Sequence, residues 1–274
     1  MEVNETDLLA FYKALNVLKP YAGQIVLVGG WVPVIYRKYG NVRSRHPSVR
    51  TTDIDIAVPR GIPDTGLPTL DSLLIEAGYK MEIVGSYGGA VKYELMTPPS
   101  EIEFITPEIG RSGKPSVLVQ NGLRAQALRY VEILLDNTRQ ITIQESTATI
   151  KISVVVKVPS PAAFIFQKSL TLPDRRAKQA KDLYYIFDLI DSTSQMMGDV
   201  ITEMKYIQTK YPRSWARRCT SNLEKYFPET GGEGPVLVGS QYTGGMPVET
   251  FRNYAHRVFR NLITGLKQGG DAIG

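Results

Sequence analysis

The sequence predicts an α+β fold, a strand-rich part over residues 1–158 followed by a mainly helical part over 159–274. Three observations predict it. Short β-branched runs bounded by Gly and Pro recur from residue 24 to residue 158. From Pro159 onward apolar residues recur at helical spacing with few strand signals. No internal repeat or block of like charge points to a solenoid or a disordered tail.

Taken in order, Asn4 with Asp7 three residues on forms a capping signal. Leu8, Leu9, Tyr12, Leu15 and Leu18 then follow at helical spacing up to Pro20. Residues 24–28, QIVLV, read as a strand ending at Gly29-Gly30, and 31–39 as a helix stopped by Gly40. The stretch 41–51 carries Arg43, Arg45 and Arg50 around Pro47 and reads as a loop. In 53-DIDIAV-58 charged and apolar side chains alternate, so Asp53 and Asp55 share one face of a strand and Ile54 and Ile56 the other. A helix over 68–79 and strands at 80–84, 90–96 and 101–106 follow. A helix at 122–135 precedes β-branched strands at 139–144 and 148–158. Helices are expected at 160–171, 174–192, 195–210 and 213–226. A Gly-rich segment, 230–245, then separates them from a last basic helix at 248–267.

Composition narrows the chemistry. With 43% hydrophobic and 22% charged residues the chain is an ordinary globular protein, and no apolar run approaches the roughly 20 residues of a membrane span. The first residues lack the basic start and apolar run of a secretory signal, so a cytoplasmic location without membrane association is expected. Cys219 is the one cysteine, and His46 and His256 are the two histidines. A zinc site of the usual Cys and His kind is nearly excluded, and a Ser-His-Asp triad would need one of those two histidines. A metal would need oxygen ligands, which points to Mg²⁺ or Mn²⁺. The net charge of +5 favours an anionic partner without identifying one.

Alone, Asp53 and Asp55 read equally as a solvated strand face. Glu103 sits in matching surroundings on another strand, and beside Asp53 and Asp55 it could complete an all-oxygen cation site. Glu101, two residues earlier on the same face, competes for that role. Gly29-Gly30 between a strand and a helix N-terminus can be a plain tight turn, or a cradle where backbone N–H groups approach a phosphate.

A glycine pair after a strand, a helix, Asp-x-Asp on the next strand and a later strand carboxylate together resemble the polymerase-beta-type nucleotidyltransferase superfamily. The stretch 158-VPSPAAFIFQKSLTLPDRRAKQAKDLYYIFDL-189 resembles the segment after the catalytic domain in the AbiE-type nucleotidyltransferase toxins of type IV toxin-antitoxin systems. The likeness spans about residues 25–190 and implies a twisted mixed sheet with flanking helices followed by a helical domain. It makes Asp53 and Asp55 the shared ligands of two Mg²⁺ ions, Glu103 the third carboxylate, and Gly29 and Gly30 the phosphate turn of an NTP-binding site, ATP included. Lys168 would neutralise the nucleotide phosphates and Asp182 would face the same cleft. The chain departs from the family in having Gly-Gly where Gly-Ser is common, and in the long Arg-bearing interval between Gly30 and Asp53.

The implied activity is transfer of a nucleotide from an NTP to a hydroxyl on a tRNA or other RNA, a protein or a small molecule. A cognate antitoxin is an implied partner. Arg175, Arg176, Lys178 and Lys181 beside Asp182 form either a solvated helix face or a grip for triphosphate or RNA, with Arg176 the candidate phosphate ligand. Two other readings compete: a non-catalytic nucleotide- or nucleic-acid-binding module of the same fold, and a glycosyltransferase holding a nucleotide-sugar through Asp-x-Asp and Mn²⁺.

Overall fold

The computed structural model describes residues 3–42, 44–64, 66–84, 89–110, 115–146 and 149–268. Arg43 of the basic loop and Ala148 of the expected strand lie outside the described residues. The described residues divide into two compact units, one from within 3–35 and 50–159, the other from within 36–49 and 160–268.

The first unit is built on a twisted mixed sheet. Its strands are β1 (Val26–Val28), β2 (Asp53–Ala57), β3 (Lys80–Val84), β4 (Ala90–Met96), β5 (Pro99–Pro107), β6 (Ser116–Gln120) and β7 (Leu123–Leu128). The order is β1-β2-β5-β4-β3, and β7 takes over the edge of β5 beyond β4, carrying β6 with it. β2 runs parallel to β5, whereas β1, β3 and β4 are antiparallel to their neighbours.

Alternation gives the sheet two unlike faces. One carries the buried Ile54, Ile56, Tyr93, Ile102 and Phe104. Helices α1 (Glu5–Leu18) and α3 (Leu70–Glu76) cover it; Tyr93 on that face donates to Asp71 of α3 at 2.7 Å. The other face is polar over the first residues of β2 and β5. It turns apolar at Ala57 and Ile105, where α4 (Val131–Asp136) lays Val131 and Leu134 against Val26, Val28 and Ala57. A hairpin of β8 (Thr138–Ser146) and β9 (Lys151–Pro159) packs beside β1 and α1.

The capping signal at Asn4 is realised in full. Asn4 Oδ1 accepts from the Asp7 amide at 2.9 Å, and Asp7 Oδ2 accepts from the Asn4 amide at 3.1 Å. Two orphan donors of α1 are thereby satisfied.

The expected helix at 122–135 is a strand followed by a short helix: β7 takes 123–128 and α4 begins at Val131. Leu, Ala and Gln favour a helix in isolation, but β5 and β6 offer two hydrogen-bonding edges to this segment, and pairing outweighs propensity. The turn dipeptide Asn121-Gly122, with Gly122 at φ +81°, was the signal for a hairpin.

The second unit is helical. It contains the C-terminal part of α2 (Trp31–Tyr39), then α5 (Pro161–Thr171), α6 (Gln179–Ser192), α7 (Met197–Thr209), α8 (Arg213–Tyr226), α9 (Glu233–Ser240) and α10 (Val248–Lys267). The Gly-rich stretch is thus no mere spacer. Gly234 fits inside α9 because a side chain there would meet the Tyr226 carbonyl at 2.4 Å. Tyr184, Ile186, Phe187, Leu189 and Ile190 of α6 are all buried, so the aromatic run is core. No described helix is long and apolar enough to cross a membrane.

Candidate active site

β1 ends at Val28, Gly29 takes φ +68°, and α2 starts at Trp31, whose ring stacks on Phe11 with centroids 4.0 Å apart. Val28 is the register partner of Asp55, so the chain turns directly beside that carboxylate. A Cβ on Gly29 would lie 1.9 Å from Asp55 Oδ2. Only glycine suits the position, for two separate reasons: the left-handed backbone and the carboxylate resting on it. Gly29→Ala is expected to cost at least the ~1–2 kcal/mol of a left-handed alanine. Part of the loss should be relieved in an Asp55→Ala background, where the clash is removed; denaturant melts of the two single variants and the double variant check this.

On β2 and β5 the carboxylates fall opposite one another, Asp53 against Glu101 and Asp55 against Glu103. On the far side of β5, Lys92 stands opposite Glu103 and Glu94 opposite Glu101. Lys92 Nζ lies 2.7 Å from Glu94 and 2.8 Å from Glu101, and hydrogen bonds to Glu101 and then Glu94 hold the ammonium above its ordinary range. A cation of the chain thus pairs with Glu101. Asp53 Oδ1 accepts from Thr52 Oγ1 at 3.1 Å. A cavity of about 300 Å³ opens at this end of the strands, between Asp53, Glu94 and Glu101 on one side and Asp7 and Arg50 on the other. Arg50 is fixed on Asp7 by two hydrogen bonds of 2.8 Å.

In the helical unit, Lys168 on α5 and Asp182 on α6 meet although Pro173 interrupts the chain between them. Lys168 Nζ is 2.7 Å from Asp182 Oδ1, with both side chains buried. Arg175 Nε stands 3.4 Å from Asp182 Oδ2. Arg176 is exposed on a short 3-10 turn, Arg176–Lys178. Cys219 is buried, and burial pushes its thiol up to about 12, so it is no nucleophile at neutral pH.

A nucleotidyltransferase family model matches residues 6–205, more than two thirds of the chain. The protein belongs to this nucleotidyltransferase family. No curated protein and no solved structure matches the chain. The matched span of the transferase includes the glycine turn, the carboxylates of β2 and β5, and the Lys168–Asp182 pair; α8, α9 and α10 lie beyond it.

Among the described residues no three His, Cys, Asp or Glu side chains form a ready cation cage. The donor set nevertheless fits Mg²⁺, a hard cation that retains waters and is usually held by one or two carboxylates plus substrate phosphates. Asp55 and Glu103 are carboxylates on adjacent parallel strands, a spacing of about 4.8 Å. The missing Cβ of Gly29 leaves room for the Asp55 carboxylate against the turn.

The Arg-bearing loop is anchored on a helix of its own unit through contacts that no short-range pattern marks. Arg37 Nε donates to Asp188 Oδ1 at 2.8 Å, Ser44 Oγ to Asp191 Oδ2 at 3.0 Å, and Tyr184 Oη to the Pro47 carbonyl at 2.6 Å. His46 is enclosed by Phe187, Tyr242, Phe251 and Tyr254, with ring centroids 5.2 to 5.9 Å away. Asp188 and Asp191, three residues apart on α6, were visible as acids in an otherwise apolar run, and that was the available signal.

Asp188 Oδ2 makes no hydrogen bond, and burial, opposed by Arg37, pushes the carboxyl up to about 7. The folded value lies above the roughly 3.9 of an unfolded aspartate, so this group removes stability progressively as pH rises from about 4 to about 7. Asp188→Asn mimics the protonated form. Its melting temperature should lie close to wild type near pH 4 and exceed it increasingly up to pH 8, as thermal melts across that range would show.

Proposed function

We propose that this nucleotidyltransferase uses Mg²⁺, or Mn²⁺ in its place, to transfer a nucleotide from an NTP to a hydroxyl acceptor by a two-metal route. The sheet-bearing part, residues 1–158, is the catalytic domain, and residues 159–274 form a helical partner domain. The observation that carries the reading is the Asp55 carboxylate lying on Gly29. It joins the phosphate turn to the metal-binding strand face, so one bound triphosphate reaches both.

In this reading Asp53, Asp55 and Glu103 hold the cations, while Gly29 and Gly30 seat phosphate oxygens at the start of α2, where backbone N–H groups and the helix dipole favour negative charge. Bound Mg²⁺ would lower the pKa of the acceptor hydroxyl and neutralise the departing pyrophosphate. The strands fix the carboxylates before substrate arrives, and such positioning supplies much of the catalysis. Lys92 pairs with Glu101 and Glu94 at the same end of the strands. The cavity beside Asp53 is the room for the acceptor end. The acceptor is an RNA such as tRNA, or another cellular target, and the resemblance to AbiE-type enzymes makes a toxin role with a cognate antitoxin part of the proposal.

Incubation with Mg²⁺ and each labelled NTP, in the presence of total RNA or a protein extract, tests this. Label should pass to an acceptor, with pyrophosphate released, and EDTA should abolish it. NTP binding without transfer to any acceptor would favour a non-catalytic binding module. Cleavage of a nucleotide-sugar instead would favour a glycosyltransferase.

A further inference from the structure

We propose that the helical unit binds a single-stranded polynucleotide along a band running from the α7–α8 turn to the loop before α6. This deepens, and rests on, the reading of a hydroxyl acceptor above, because it assigns that acceptor a chemical class.

The first support is where the charge lies. Segments 174–182 and 210–218 together hold eight Lys and Arg against two Asp, a surplus of six, whereas the whole chain has a net charge of only +5. The basicity of the protein is therefore concentrated in these two segments, and everything else is close to neutral. One of the two acids, Asp182, is buried against Lys168 and presents no charge to solvent. Arg176, Lys178, Arg213 and Arg217 are exposed.

Packing joins the two segments. Arg218 on α8 reaches Asp174 at 3.5 Å, and Asn222 one turn later donates to the Ser169 carbonyl at 2.8 Å. The start of α8 is thus held beside the loop bearing Arg175, Arg176 and Lys178. Arg175 in turn lies 3.4 Å from Asp182, so the band extends to the Lys168–Asp182 pair.

Aromatic rings supply what a purely basic surface lacks. Tyr211 and Trp215 stack at the α7–α8 turn with centroids 5.5 Å apart and planes 12° from parallel. Trp215 is half-buried, and it precedes Arg218 by three residues, on the same side of the helix. Tyr206 is 63% exposed, with Lys210 Nζ 4.7 Å from its ring centroid. Cations that follow a phosphodiester chain, alternating with ring faces on which bases stack, are the features of a single-strand surface. A triphosphate alone would make no use of the aromatic turn.

The test is binding, not transfer. Fluorescein-labelled 12-nucleotide RNA and DNA of mixed sequence are titrated with the full chain, without NTP or metal, and read by anisotropy. Binding of either oligonucleotide is expected. With about four phosphate contacts, affinity should fall about 50-fold between 50 and 200 mM salt. Trp31 is buried in the other unit, so quenching of tryptophan fluorescence by unlabelled oligonucleotide reports on Trp215. Arg213→Glu with Arg217→Glu, both at exposed positions, should weaken binding more than tenfold while circular dichroism stays unchanged. The proposal is overturned if neither oligonucleotide binds, if the charge reversal leaves binding unmoved and Trp215 fluorescence is not quenched, if a duplex of equal length binds as well, or if millimolar ATP displaces the strand completely. Failure of the transfer reading would look different: Asp53→Ala and wild type would both bind the strand, and neither would transfer label.

Discussion

Asp55→Asn is expected to lower nucleotidyl transfer about a thousandfold or more, the scale of losing several kcal/mol of metal-borne charge stabilisation, while the protein still folds. Asp53 and Asp55 face Glu101 and Glu103 across a single strand spacing, and like charges placed directly opposite destabilise a sheet. Lys92 relieves this at Glu101 and Glu94. Asparagine keeps the shape that rests on Gly29, so the variant should still melt cooperatively as activity collapses. Mg²⁺ should raise the melting temperature of wild type, through binding to the folded state alone, and raise that of the variant much less. A variant that kept transfer within tenfold of wild type would remove Asp55 from the metal site. Loss of activity accompanied by loss of the fold would mean that the carboxylate serves the turn and not the chemistry.

Much of the fold and part of the site could be read in the sequence, and the difference follows from the range of the interactions. The strand, glycine turn and helix at 24–39, the alternation in 53–58 and the capping of α1 are local, and each was found from a few adjacent residues. The placement of Glu103 opposite Asp55, and of Lys92 opposite Glu103, depends on strand order, which no local pattern encodes. Residues 123–128 were misread as helical for the same reason, since their strand conformation is imposed by β5 and β6. The dependence of Gly29 on Asp55 shows how the two levels combine: the turn was legible as a turn, but its reason for being glycine includes a side chain from a strand 26 residues later. The docking of the 41–51 loop on α6 rests on Arg37, Ser44 and Tyr184 meeting partners about 140 residues away, which left no mark at short range beyond two acids in an apolar run.

Lys168→Ala should destabilise the helical unit by about 3–5 kcal/mol, the usual result of leaving one member of a buried ion pair without its partner. Asp182 would remain buried, with Oδ2 making no hydrogen bond and only Arg175, at 3.4 Å, to offset its charge. Denaturant melts would show this as a lower midpoint. That result alone cannot separate a structural lysine from one that also serves the nucleotide, so the informative variant is the double replacement Lys168→Met with Asp182→Leu. Exchanging a buried pair for apolar side chains of similar volume is commonly neutral or stabilising, because the desolvation of both charges is avoided. The double variant should therefore regain wild-type stability. If Lys168 also neutralises nucleotide phosphates, transfer should stay low in this refolded background, with KM for the NTP raised at least tenfold, a loss of about 1.4 kcal/mol of binding. If transfer returns along with stability, the pair is a packing device of the α5–α6 contact and takes no part in binding the nucleotide.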